Sequence, residues 1–236
     1  MECHEHRLPA PDTMRLIDIT LPVSDPVRAA DYFRDVLQLP VRGDEVSIGW
    51  TLLRLVPAEG LRVGGVHLAF NVPDNRCADA VSWLRERSPL QCSPDGKDYF
   101  ALESSWQSQS VYFTGPDGLI LELIGRRRLP ASSRTGGFNG GELTCISEVG
   151  LPSTDVEATQ DVFARRFGLS PLSEPSKAFA PMGDDEGLLI VVDSARHWFP
   201  EQVDLPNARG IAVVLEQAGE PQSVVDEVQG WRVSSR

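Results

Sequence analysis

Two residues in the middle of the chain have the type and setting to hold a metal ion or move a proton. In VHLAFNV (66–72), Val66, Leu68, Phe70 and Val72 alternate with His67, Ala69 and Asn71, the period of a strand with one apolar face. In LILELI (119–124), Leu119, Leu121 and Leu123 alternate with Ile120, Glu122 and Ile124. An imidazole and a carboxylate on the less apolar faces of two strands in one compact unit can meet over a common cleft. The same spacing also suits a solvated or structurally satisfied histidine, and spacing alone does not choose. Asn71 shares the His67 face; it can bind a substrate oxygen or end the strand through a side-chain turn.

The elements that must position this pair follow a repeated plan. A strand runs from Leu16, with Ile17, Ile19, Leu21 and Val23 on one face and Asp18 and Thr20 on the other. Asp25-Pro26 opens a helix, the carboxylate capping free amides and proline suiting the first helical position. Ala29, Ala30, Phe33 and Leu37 form its apolar stripe. Short strands are predicted around 47–55. The strand at 66–72 then leads through Pro73-Asp74-Asn75 into a helix carrying Cys77, Ala80, Val81 and Leu84. Strands follow near 98–103, 109–114 and 119–125, the last two separated by the turn Gly115-Pro116-Asp117-Gly118. The order is strand, helix, strands, twice.

Residues 126–141 read as a linker, opening with Arg126-Arg127-Arg128 as a solvated strand end. Beyond it the first unit recurs at an offset of 130: LPVSD at 21–25 returns as LPSTD at 151–155, and Phe33, Leu39 and Asp18 match Phe163, Leu169 and Glu148. Such a repeat implies a duplicated unit. The second copy is incomplete, because Gly210 stands where His67 would be and no counterpart of the Glu122 strand is present. The expected division is a disordered leader over 1–14, an N-terminal domain over 15–125, a linker over 126–141 and a supporting C-terminal partial domain over 142–236.

Composition narrows the function. A formal net charge of -12 argues against nucleic acid, whose phosphates demand a basic face. With 41% hydrophobic residues the chain can bury an ordinary core, yet no apolar run approaches a membrane span. The four cysteines, Cys3, Cys77, Cys92 and Cys145, show no zinc-ribbon or disulfide spacing. Cys3, His4 and His6 suit a frayed terminus better than a metal site. The expected setting is the cytoplasm, the expected partner a small-molecule substrate, with a homodimer allowed.

DITLPVSDPVRAADYFRDVLQLPV at 18–41, VHLAFNVPDN at 66–75 and YFTGPDGLILELI at 112–124 together resemble the vicinal oxygen chelate superfamily, which includes glyoxalase I, extradiol dioxygenases, fosfomycin-resistance enzymes and bleomycin-resistance proteins. GDDEGLLIVVD at 183–193 and RHWFP at 196–200 look like second-domain signatures of a two-domain bacterial subgroup. The resemblance implies an α+β fold of tandem βαβββ modules, paired into curved, cup-like mixed sheets around a divalent metal. Its ligand slots fall on Asp18, His67 and Glu122 if sequential modules pair, and Glu148 replaces Asp18 if they swap. Sequential pairing is favoured, because 16–125 makes a complete pair. One imidazole with two carboxylates is a hard set, leaning toward Mn²⁺ or Mg²⁺, with Fe, Zn and Ni unresolved. Trp106 and Tyr112, and Trp50, are candidates to line the cup; His197 is a remote candidate ligand.

The implied chemistry is a substrate with two adjacent oxygens chelating the ion, with Glu122 moving a proton, in an isomerase, lyase or dioxygenase reaction. The alternative is a metal-free protein that sequesters a ligand, of the bleomycin-resistance type.

Overall fold

The computed structural model describes residues 13–217 and 219–236. Cys3, His4, His6 and most of the expected leader lie outside them. Met14 belongs to the fold, not to a leader: it is buried, and its amide donates to the Asp184 carboxylate at 2.8 Å.

Four modules make up the described chain. The first is β1 (Arg15–Val23), α1 (Pro26–Asp35), β2 (Val41–Arg42), β3 (Glu45–Ile48) and β4 (Thr51–Pro57). The second is β5 (His67–Val72), α2 (Cys77–Arg85), β6 (Phe100–Leu102), β7 (Ser108–Thr114) and β8 (Ile120–Arg126). The third has β9 (Cys145–Ser153), α3 (Val156–Phe167), β10 (Phe179–Gly183) and β11 (Leu188–Asp193). The fourth has no helix, only β12 (Ala212–Glu216), β13 (Ser223–Asp226) and β14 (Trp231–Ser235), and β14 pairs in parallel with β12 as β8 does with β5, so the expected lack of a counterpart to the Glu122 strand is corrected.

Local chemistry fixes the helix ends, at Asp25-Pro26 as the sequence predicts. The Asp25 carboxylate accepts from the amides of Val27 and Arg28 with Pro26 in the first turn, and Asp155 caps α3 through the Ala158 amide. Gly168 ends α3 in the left-handed region, which glycine enters without a Cβ clash.

The modules do not pair in chain order. One seven-stranded sheet runs β13-β14-β12-β1-β4-β3-β2, joining the fourth module to the first. The other runs β10-β11-β9-β5-β8-β7-β6, joining the third to the second. Each sheet therefore takes strands from both sides of residues 126–141, and the favoured sequential pairing is corrected. The module itself demands a joint without choosing its partner. Its first strand pairs with its last in parallel, which leaves the other edge of the first strand open. An open edge needs a partner, and the antiparallel joints β1–β12 and β5–β9 supply one each.

One continuous core takes alternate residues of both sheets with the helices, including Leu16, Ile19, Phe33, Phe70, Leu121, Val149 and Phe163. A separate cluster of Ile120, Leu188, Ile190, Val192 and Trp198 lies on the opposite face of the second sheet, with Trp106, Tyr112, Leu172 and Phe179 packed against it. That face is the concave one that carries the candidate site. Among the described residues no helix is long and apolar enough to cross a membrane.

Candidate metal centre

Three neighbouring strands of the second sheet deliver the site. β5 contributes His67, β8 contributes Glu122 and β9 contributes Glu148. The imidazole Nε2 lies 3.4 Å from Glu122 Oε2 and 3.4 Å from Glu148 Oε2. One ligand atom from each residue falls within 4.8 Å of the others, and all three residues are buried. One nitrogen and two carboxylate oxygens, converging where water is scarce, are a set that could hold a divalent cation.

Register explains the convergence. Glu122 pairs in parallel with Ala69, two residues after His67, so both side chains leave the same face. Glu148 reaches that face through a bulge. In the β5–β9 ladder Leu68 faces Val149 and Ala69 faces Glu148, but Phe70 faces Ile146, so Ser147 is the extra residue. In an unbroken strand Glu148 would share the core face of Ile146; the bulge keeps Ile146, Val149 and Leu151 in the core and turns Glu148 outward. The same irregularity occurs 130 residues earlier. The β1–β12 ladder skips Ile17, which moves Ile17 out of the core stripe and leaves Leu16, Ile19, Leu21 and Val23 in it.

The buried charges are unevenly balanced. The Arg126 guanidinium is fully buried and hydrogen-bonds Glu148 Oε1, leaving Oε2 toward His67. Burial pushes Glu148 upward, but hydrogen bonding to His67 and the Arg126 charge outweigh it and hold the carboxyl below its ordinary value. Glu122 has no arginine. Burial and the Glu148 charge push it up to about 7, against the opposing pull of His67 and the hydroxyls of Ser110 and Tyr112. For His67, burial lowers proton affinity, yet the two carboxylates prevail and raise it above the ordinary imidazole value. Without an ion, two carboxylates and an imidazole compete over protons; a dication removes the need for them. The residues fit a divalent metal.

Aromatic rings wall the site. Trp198 packs on His67 with ring centroids 5.2 Å apart, and its indole N–H donates to Gly65 O at 2.8 Å. Gly150 makes this possible, since a Cβ there would stand 2.5 Å from Trp198 Cζ2. Tyr112, the cross-strand partner of Glu122, stacks near His67 at 6.1 Å. Phe199 closes against Phe100 at 4.5 Å and Tyr112 at 5.4 Å. Trp106 lies under Arg126, whose guanidinium carbon is 5.7 Å from the ring centroid.

Asp18 does not join the cluster. It lies in the other sheet, where Arg54 Nε is 3.0 Å from its carboxylate and Arg54 also pairs with Glu45. Arg54 faces Thr20 as Glu122 faces Ala69, so a guanidinium occupies the slot of a ligand carboxylate. That cup therefore carries its own cation, shared between Asp18 and Glu45. Trp50 lies in the turn between β3 and β4 of the first sheet, beneath Arg15 at 4.6 Å, rather than in the site. Asn71 is buried and its amide nitrogen donates to Asp185 O at 2.9 Å, bracing the turn between β10 and β11. His197 is exposed. The reading of Arg126 as a solvated strand end is corrected, as is that of the second half as merely supporting: it contributes Glu148, Gly150 and Trp198. Only the acidic match of Glu148 to Asp18 hinted at this. The bulge at Ser147 leaves no periodic signal.

No protein-family model matches the chain. Among curated proteins it is similar to the metallothiol transferase FosB of Staphylococcus epidermidis, 29% identical over 115 residues, covering 44% of this chain and 78% of that one. FosB of Staphylococcus haemolyticus is 27% identical over the same length and coverage. Among solved structures, a Bacillus subtilis protein provisionally named a dioxygenase aligns with a TM-score of 0.63 at 17% identity, covering 96% of this chain and 86% of that chain. Glyoxalase I from Zea mays aligns at a TM-score of 0.55 and 14% identity, covering 94% and 92%.

Proposed function

We propose that this chain, a member of the vicinal oxygen chelate superfamily, is an enzyme in which His67, Glu122 and Glu148 hold a divalent ion and bind a small substrate through two adjacent oxygens. The observation that carries the reading is the convergence of one imidazole and two carboxylates from three strands onto one buried spot. A buried carboxylate pair in which only one member has a guanidinium is costly for a fold to keep unless a further cation completes it. The hard donor set favours Mn²⁺ or Mg²⁺ over softer ions.

The bound ion would supply Lewis acidity, polarising a substrate carbonyl or stabilising an oxyanion that forms beside it. The remaining work falls to side chains of this chain. Arg126 keeps Glu148 ionised and aims one of its oxygens inward. Glu122, which has no arginine partner and whose carboxyl is held above its ordinary value by burial and by Glu148 in the metal-free site, is the carboxylate of the set that can take up or give back a proton, with the Tyr112 hydroxyl beside it. Trp198, Tyr112 and Phe199 exclude water and offer flat apolar surface to the substrate. Proton transfer next to a carbonyl, as in isomerase or lyase chemistry, suits this set, and dioxygen or thiol transfer chemistry would use the same ligands.

The test is elemental analysis of untagged protein, followed by Mn²⁺ titration of the wild type and His67→Ala. Stoichiometric binding that His67→Ala abolishes supports the reading. A wild type that binds no divalent ion sinks it, and a metal-free ligand-sequestering protein then takes its place.

A further inference from the structure

Arg196 follows β11 in the segment that also carries Trp198 and Phe199, and it stands over Phe179 with its guanidinium carbon 5.1 Å from the ring centroid. Phe179 in turn lies 6.3 Å from Trp106, which lies under Arg126. Two guanidinium groups thus bracket two aromatic rings, and this ladder runs from the buried triad to the rim. Trp106, Tyr112 and Phe179 are only half-buried, so the wall is open to a ligand from solvent.

The two arginines differ in one respect. Among the buried and half-buried arginines, Arg15, Arg54, Arg76, Arg87 and Arg126 each pair with a carboxylate. Arg196 pairs with none among the described residues; burial weakens its hold on the proton, and only the Tyr112 phenol opposes that. In a chain with 34 acidic and 22 basic residues, an arginine that is partly desolvated and unpaired is exceptional. Water and the Phe179 ring satisfy part of such a group, and an anion would complete it. Its planar fork matches a carboxylate, and the rings beside it match a flat apolar body.

We infer that Arg196 is an anion anchor at the rim of the cup, and that the substrate is a small organic carboxylate with a planar apolar body lying along Trp106 and Phe179. Where its reactive end sits rests on the metal reading; the anchor itself does not. The excess of negative charge elsewhere on the chain makes this local positive wall the discriminating feature, since a neutral analogue gains nothing from it.

The experiment uses benzoate, its neutral counterpart benzamide, and acetate, which lacks the apolar body. Binding is followed by tryptophan fluorescence and by ligand-observed NMR, on metal-free and Mn²⁺-loaded protein, for the wild type, Arg196→Met and Arg196→Lys. The expected result is that metal-free wild type prefers benzoate over both benzamide and acetate by about tenfold or more, the span of one charge-assisted contact. Arg196→Met should lose that preference without changing benzamide binding, and Arg196→Lys should keep part of it. Equal binding of benzoate and benzamide, no binding of either, or full benzoate affinity in Arg196→Met would each overturn the proposal. Benzoate discrimination in a protein that takes up no Mn²⁺ would defeat the metal reading alone.

Discussion

Arg126 and Glu148 form a buried ion pair in which the guanidinium takes one carboxylate oxygen and the other faces His67. The pair links the end of the second module to the start of the third, across the stretch that reads in sequence as a linker. It fixes both the charge and the aim of one candidate ligand. Arg126 also approaches Asp185, with Nη1 at 3.6 Å, but Asp185 keeps Arg128 at 2.6 Å, so loss of Arg126 leaves Glu148 as the acid without a guanidinium.

Arg126→Met should therefore destabilise the metal-free protein by about 3 kcal/mol, the usual scale for breaking a buried pair from one side. Mn²⁺ should recover a larger share of stability in the variant than in the wild type, because the ion then compensates Glu148 alone. Thermal unfolding with EDTA and with Mn²⁺ reads both effects. An equal metal-induced shift in the two proteins would mean Arg126 does not act on the site.

Glu148→Ala and Asp18→Ala separate the two module pairings. Removing Glu148 deletes a donor and should weaken Mn²⁺ binding by about a hundredfold or more, beyond what loss of an outer-shell partner causes. Removing Asp18 should leave Mn²⁺ affinity unchanged and cost under about 1 kcal/mol, since the Arg54 pair is partly exposed. Calorimetric titration gives the comparison directly, and the reverse pattern would refute the swapped site.

The pH dependence follows from Glu122. Its carboxyl is raised from 4.5 to about 7 by burial and by Glu148, so its contribution to metal-free stability is full below 4.5 and lost as pH rises through about 7. The loss is roughly 3 kcal/mol at most. His67, also raised, acts in the same direction, while Glu148, lowered, contributes above its unfolded value and is lost only in acid. A dication reverses the trend, since it competes with these protons. Stabilisation by Mn²⁺ should grow steadily between pH 5.5 and 8; a flat response would exclude Glu122 as a ligand.

Gly150→Ala tests the wall. The new methyl would meet Trp198 Cζ2 at 2.5 Å and His67 Cβ at 3.1 Å, so the indole must shift off His67. The expected cost is about 1–3 kcal/mol, typical of overpacking, with a changed tryptophan emission spectrum. An unperturbed spectrum at wild-type stability would show that Trp198 does not lie where the contact requires.

The sequence by itself determined the strands, the helices and the two side chains at the heart of the site. Alternation put His67 and Glu122 on the less apolar faces of their strands because burial of Leu68, Phe70, Leu121 and Leu123 leaves no other choice. Asp25-Pro26 marked a helix start because free amides need acceptors, and the offset of 130 exposed the duplication. Tertiary structure alone decided which first strands meet. Hydrophobic period is a local quantity and carries no label for the partner of an open strand edge, so Asp18 and Glu148 looked equivalent until β9 paired with β5. It also decided which way Glu148 points, since one unpaired residue at Ser147 reverses every side chain before it. The fate of Arg126 was equally hidden. A guanidinium at a strand end is ordinarily solvated, and only the turn carrying Asp185, folded over it from a distant part of the chain, makes it a buried counter-ion.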